Sequence, residues 1–189
     1  MLHEHNQLQP GYSHIILVFL DRLRYDGVRM DLVQHTIPPI YNETSNTLLL
    51  GTMPSPKSRA AGFYYAHPKN RFWPTLAAVY NEPVTRNNHE RRSLILRHHL
   101  ALWDVLDSCE ICGAADASIR NAQPNDIPAL IAKTRIVQVF CIGQMAGRLY
   151  RRFLESKTGL PCKILPSTSP ANCRVSFNEL VCIYANVLL

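Results

Sequence analysis

Apolar residues in this chain come in short dense runs separated by polar, Gly- and Pro-bearing segments, and from Ile37 onward that alternation predicts strands and helices in turn. Residues 47–50 read as the first core strand, with Leu48, Leu49 and Leu50 an unbroken apolar run after the β-branched Thr47, the pattern of a strand buried on both faces, and Gly51 and Pro54 end it. Residues 71–80 read as a helix with Pro74 tolerated in its first turn, 81–88 as a polar loop, and 90–99 as a second helix of strong helix formers. A short strand at 102–106 leads into a turn at Gly113 and a polar connection. Asn125 and Asp126 then offer a cap, and Pro128 an early position, for a helix through Thr134. The β-branched, apolar stretch 135–142 predicts a buried central strand ended by Gly143. Residues 144–155 follow as a helix with Arg148, Arg151 and Arg152 on its solvated face. A last strand at 163–165, the loop 166–172 and a closing helix 176–188 capped by Ser176 complete the order. Strand and helix in alternation imply an α/β fold with a mainly parallel sheet covered on both faces. No repeat, low-complexity tract or linker divides residues 30–189, so one domain is expected there.

The first 29 residues carry a different pattern. Ile15 to Leu20 is an apolar run of six, too short to cross a membrane and without the flanks of a signal peptide. Together with Leu23 and Tyr25 it is expected to form a short amphipathic helix. Met30 stands just before the regular alternation begins, so residues 1–29 read as an extension, either translated upstream sequence or a functional arm.

Composition narrows the picture. A hydrophobic fraction of 47% against 18% charged residues argues against disorder in a chain of 189 residues. Twenty Lys and Arg against 14 Asp and Glu leave a formal charge of +6, which suits a polyanion such as DNA and equally an ordinary basic protein. Six cysteines without a secretion signal point to a reducing, cytoplasmic setting. Cys109 and Cys112 have the spacing of a redox or metal pair but lack a second pair close by, so no metal is expected.

Candidate chemistry concentrates in the stretch 48–73, LLLGTMPSPKSRAAGFYYAHPKNRFW. A buried strand ending in a Gly/Pro/Ser turn puts backbone N–H groups and hydroxyls where a ligand can reach them, although the same residues also make an ordinary turn. This stretch, with HHLALWDVLDSCEICGAADASIRNAQPND and LPSTSPAN further on, resembles the motifs of the uracil-DNA glycosylase superfamily, most of all its hypoxanthine (deoxyinosine) branch, from about Ile37 to the C-terminus.

The resemblance implies a three-layer αβα sandwich and a monofunctional, cofactor-free DNA glycosylase that acts on DNA holding a damaged base, as a monomer without membrane attachment. Such an enzyme extrudes the nucleotide, encloses its base and stabilises an oxocarbenium-like sugar while the glycosidic bond breaks. Asn70 would be catalytic, its amide accepting from a water and donating to the base or sugar, or else simply a cap for the following helix. Gly51, Thr52, Met53, Tyr65, His67 and Ile142 would wall the base pocket, with Tyr65 stacking on the base or packing in the core. Met53 stands where uracil-excising relatives carry a carboxylate or amide that holds water, and a thioether cannot act as a base. Ile142 stands where family members commonly have Asn. Ser55, Lys57 and Ser58 from the first loop, and Ser167, Thr168, Ser169 and Arg174 from the last, would grip phosphates. Ala171 and Asn172, with Pro170 and Cys173, would be the wedge that fills the vacated stack. No lysine is placed as a Schiff-base nucleophile, so strand cleavage is not expected. Some uracil-excising relatives hold an iron–sulfur cluster, but the cysteine spacing here is unlike theirs. Three alternatives stay open: excision of uracil or mismatched thymine, a non-catalytic lesion binder, and a thiol or metal protein built on Cys109 and Cys112.

Overall fold

Thr47, Leu48, Leu49, Leu50 and Gly51 are all buried, which requires cover on both faces of the strand they form. The computed structural model describes residues 24–25 and 28–189. In chain order its elements are β1 (Arg24–Tyr25), β2 (Val28–Arg29), β3 (Asp31–Gln34), β4 (Thr47–Gly51), α1 (Pro56–Ala61), α2 (Phe72–Val79), α3 (Asn88–Arg97), β5 (Leu100–Asp104), β6 (Leu106–Ile111), β7 (Arg120–Pro124), α4 (Ile127–Ala132), β8 (Gln138–Ile142), α5 (Gln144–Phe153), α6 (Glu155–Thr158), β9 (Cys162–Leu165) and α7 (Phe177–Leu188). Strands β5, β4, β8 and β9 lie side by side in that order, all parallel.

The pleat of β4 divides the core. Leu48 and Leu50 point to one face, where Ile127 and Leu130 of α4 and Ala146, Leu149 and Tyr150 of α5 cover them. Leu49 points to the other, against Phe72 and Leu76 of α2, Leu94 and Ile95 of α3, and Leu180 and Tyr184 of α7. The result is the expected three-layer αβα sandwich. Because β4 connects onward to β5 on one side and its neighbour β8 connects onward to β9 on the other, the two connections diverge and open a crevice at the carboxyl ends of the strands.

A second sheet was not foreseen. The single strand expected at 102–106 is two strands that break at Val105, and β6 leaves the parallel sheet to pair antiparallel with β3 and β7. Asn125 makes the break possible: its Nδ2 donates to the carbonyls of Asp104 and Leu106, both at 2.9 Å, and its N–H donates to the carbonyl of Val105. Asn125 was read only as a helix cap; Asp126 performs that task alone, accepting from the N–H of Ala129. The polar run Arg120–Pro124 contains no apolar alternation, since β7 is an edge strand with mostly exposed or half-buried residues.

At the amino end, Ile15 to Leu20 and Leu23 lie outside the described residues, and Tyr25 is in β1, paired antiparallel with β2, where a helix was expected. Smaller corrections follow from caps and breaks. The helix expected at 90–99 starts at Asn88 because Asn87 caps it, accepting from the N–H of His89. The helix expected at 144–155 breaks at Leu154 and resumes as α6, closed by Gly159 in the left-handed region. The strand expected from 135 begins only at Gln138; Arg135 and Val137 instead donate to the carbonyls of Ser45 and Asn46.

Candidate functional site

At the carboxyl edge of the parallel sheet lies a cavity of about 160 Å³, on the scale of a single heterocyclic base. The end of β4 supplies its floor through Gly51, Thr52 and Met53. The ends of β5 and β8 add Asp104 and Ile142, and the loops after β4 and β9 add Tyr65, Asn70, Ser167 and Ser169. Ile111, Gly113 and Asp116, from the end of β6 onward, close the remaining side.

Gly51 is required by what crowds over it. A Cβ at this position would land on Oδ1 of Asp104 and sit 3.0 Å from the Tyr65 hydroxyl. Asp104 is 4% exposed, and its Oδ2 is 3.0 Å from Nε2 of His35, an equally buried partner delivered by the segment after β3. Tyr65 adopts φ 52°, a left-handed conformation unusual for a bulky residue, and its ring stacks on Phe72 at 4.0 Å. Its hydroxyl is buried with no hydrogen-bond partner among the described residues, and burial together with the Asp104 charge pushes its pKa well up. Thr52 donates from Oγ1 to Oδ2 of Asp116 at 3.0 Å. Asp116 is an exposed residue whose carboxyl turns inward, and burial pushes its pKa up, with the Thr52 hydrogen bond opposing and the Asp104 charge adding to the shift.

Asn70 is held from two sides. Its Oδ1 accepts from the N–H of Phe72 at 2.9 Å and from Oγ1 of Thr168 at 3.0 Å. Both lone pairs are therefore engaged, while Nδ2 has no protein acceptor among the described residues. The expectation that this amide both accepts and donates is corrected accordingly. What it offers the cavity is a donor, and the cap position of the following helix is Arg71, whose side chain makes no capping bond, so Asn70 closes a turn onto Phe72 ahead of the helix instead of capping it.

The other candidates separate by burial. Met53 and Ile142 line the cavity as apolar wall. His67 is not among the lining residues; its Nδ1 accepts from the N–H of Lys69 and fixes the turn before Asn70. Ser58 is buried and its Oγ accepts from the N–H of Ala66, so it fastens the first loop rather than facing outward, and Ser55 caps α1. Thr168 is fully buried against Asn70. Ser167 and Ser169 accept from N–H groups two residues on and shape the last loop from within. Asn172 donates from Nδ2 to the carbonyl of Ser167. That leaves Lys57 on α1, and Pro170, Ala171, Cys173 and Arg174 on the last loop, as the exposed candidates.

Arg71 was not singled out from the sequence, yet it joins these loops. Its N–H donates to the carbonyl of Thr168, and its guanidinium donates to the carbonyls of Val175 and Asn172, both at 2.6 Å. Cys109 is buried on β6, its thiol pushed up to about 11 by desolvation, and Cys112 is half-buried just beyond that strand. Asp104 also went unremarked, although a lone carboxylate ending an apolar run at the carboxyl edge of a sheet is a readable signal. Asp116 carried none, since it stands in a polar loop.

An αβα sandwich with a base-sized, polar-edged cavity at the switch point of its parallel sheet is the architecture of the uracil-DNA-glycosylase-like fold. The family model of the uracil DNA glycosylase superfamily matches residues 38–181, and the chain belongs to this family. It is 30% identical over 150 residues to the hypoxanthine DNA glycosylase of Methanosarcina acetivorans, covering 78% of this chain and 94% of that one. It is 29% identical over 138 residues to the protein of the same name from Methanosarcina barkeri, covering 72% and 87%. Its fold is similar to the solution structure of a candidate uracil DNA glycosylase from M. acetivorans, with a TM-score of 0.69 and 25% identity over 82% of this chain and 98% of that one. No helix among the described residues is long and apolar enough to cross a membrane.

Proposed function

We infer that this protein is a DNA glycosylase that hydrolyses the N-glycosidic bond of a deaminated base, hypoxanthine in the first place, and leaves an abasic site in DNA. Membership of the superfamily and the two hypoxanthine DNA glycosylase relatives support the reaction class. The observation that carries the mechanism is the locked amide of Asn70. With Oδ1 held by Phe72 and Thr168, Nδ2 donates to the charge that collects on the base as it leaves. A donor fixed in advance stabilises that charge without reorganising during the reaction. Tyr65, backed by Phe72, offers a ring on which the extruded base stacks, a contact worth about 1–3 kcal/mol.

Outside the cavity, Lys57 and Arg174 contact phosphates, and the exposed tip at Ala171 fills the gap in the stack. Residues 30–189 make up the catalytic unit, acting as a monomer in the cytoplasm. A second reading, a lesion binder without turnover, draws on Ile142, an apolar wall where relatives carry Asn.

One assay tests both. The protein is incubated with single- and double-stranded oligonucleotides carrying hypoxanthine, uracil, xanthine or mismatched thymine, and abasic sites are cleaved with alkali. Strand breaks at hypoxanthine are expected. Tight binding without breaks would favour the binder, and breaks confined to uracil or thymine would move the substrate.

A further inference from the structure

His35 lies upstream of the matched region, which begins at residue 38, yet it reaches Asp104 in the cavity wall from behind. Its side chain is 2% exposed and that of Asp104 5%, and its ring packs against Tyr64 and Trp103 at centroid distances of 6.1 and 6.4 Å. A carboxylate only accepts, so Nε2 of His35 carries the proton and donates to Oδ2. Oδ1 has no donor among the described residues and overhangs Gly51 in the cavity wall. A buried carboxylate with one oxygen clamped and one unmet is a fixed acceptor in search of a donor.

We propose that His35 and Asp104 together read the extruded base: His35 is a positioning residue that holds Asp104 so that Oδ1 accepts a hydrogen bond from a ring N–H of the base. The proposal rests on the glycosylase reading and deepens it by naming the chemical feature selected. Deamination of adenine turns ring N1 from a lone-pair acceptor into an N–H, and deamination of cytosine does the same at N3. A fixed acceptor pairs with the deaminated base and faces a lone pair on the parent base, leaving both oxygen and nitrogen unsatisfied. A site built around such a hydrogen bond rejects a base lacking it far better than an apolar wall does. Guanine and thymine also carry a ring N–H, so the selection made by this pair is against adenine and cytosine.

The test compares two substrates on the full chain under single-turnover conditions: duplexes with one 2′-deoxyinosine, or one 1-methyl-2′-deoxyinosine, which has no N1–H. The wild type is expected to release hypoxanthine ~10- to 100-fold faster than its methylated form. Asp104→Ala, which removes the acceptor and makes room for the methyl group, should slow hypoxanthine release by a similar factor and bring the ratio of the two rates toward one. His35→Ala should lower the ratio, and His35→Gln, whose amide still donates to Oδ2, should recover part of it. Should the alanine variant not fold, Asp104→Leu, which keeps the branched shape of the side chain without an acceptor, should lower the ratio in the same way. A loss by the same factor on both substrates, or hypoxanthine release that survives Asp104→Ala, overturns the role of the pair while leaving the glycosylase reading intact. A wild type that releases neither base overturns the glycosylase reading, and the pair's role with it.

Discussion

At Asn70 one side chain serves folding and chemistry through different atoms, and that division makes the two separable. Asn70→Asp retains Oδ1 with its bonds from Phe72 and Thr168 and replaces the Nδ2 donor with a second acceptor. Hypoxanthine excision should fall ~100-fold or more, the usual cost of a lost preorganised donor, while the thermal midpoint changes little. Asn70→Ala should lose both, with about 1 kcal/mol of stability or more going with the bonds from Phe72 and Thr168. Single-turnover rate and thermal midpoint measured on each variant check the assignment.

Asp116 offers a pH test at the same scale. Its folded pKa lies above the ordinary value of 3.8, burial being the larger cause. The folded state therefore holds that proton more tightly than the unfolded chain does. The stability this contributes is fully present below 3.8 and is lost as pH rises through the raised value. Asp116→Asn, which keeps an acceptor for Thr52, should raise the thermal midpoint at pH 7 and lose that gain on acidification toward pH 3.8. A midpoint difference independent of pH would show that the carboxyl is not desolvated.

Among the elements, the loop from Pro166 to Val175 depends on contacts from elsewhere in the chain more than on its own turn chemistry. Arg71, one residue past Asn70, donates to two of its carbonyls and ties it to the start of α2. Arg71→Met keeps the stem and removes both donors. Given that hydrogen bonds from charged groups are worth roughly 1.5–3 kcal/mol each, the variant should lose a few kcal/mol of stability and become susceptible to proteolysis near Arg174. Unchanged proteolysis would mean that Asn172 and the serines hold the loop unaided. The sequence pattern announces Pro166–Val175 as a loop but not this tie, because a guanidinium that seeks backbone carbonyls leaves no periodic signature.

For the whole molecule, the question is where the fold begins. Strands β1 and β2 pair only with each other, whereas β3 pairs with β6 and places Val33 in the core and His35 against Asp104. A chain starting at Met30 should therefore keep its thermal midpoint and any excision. A chain starting at Ile37 should be destabilised by more than the about 1.5–3 kcal/mol of burying one valine, because β6 loses its antiparallel partner as well. Equal midpoints for the two would show that β3 is dispensable. Affinity for DNA should fall linearly on a log–log plot against salt, with a slope set by the few phosphates that groups such as Lys57 and Arg174 neutralise. A flat response between 50 and 200 mM salt would rule out phosphate contacts as the source of affinity.

What the sequence determined by itself is the parallel sheet, its covering helices and the neighbourhood of the cavity. A run such as TLLLG must be buried on both faces, and Gly51, Pro54 and Gly143 must end strands, because those constraints are local. The tertiary structure decided which polar atoms are left over. The hydroxyls of Ser58 and Thr168 read alike with those of other loop residues until their neighbours consume them, and Asn70 becomes a donor only because Thr168 and Phe72 take its oxygen. The His35–Asp104 pair joins residues 69 positions apart, the second sheet sets Asp31 opposite the still more distant Ile111, and no local pattern encodes either meeting. Local preference sets where a strand starts and stops; the partner of a buried polar group is set by which distant segment arrives beside it.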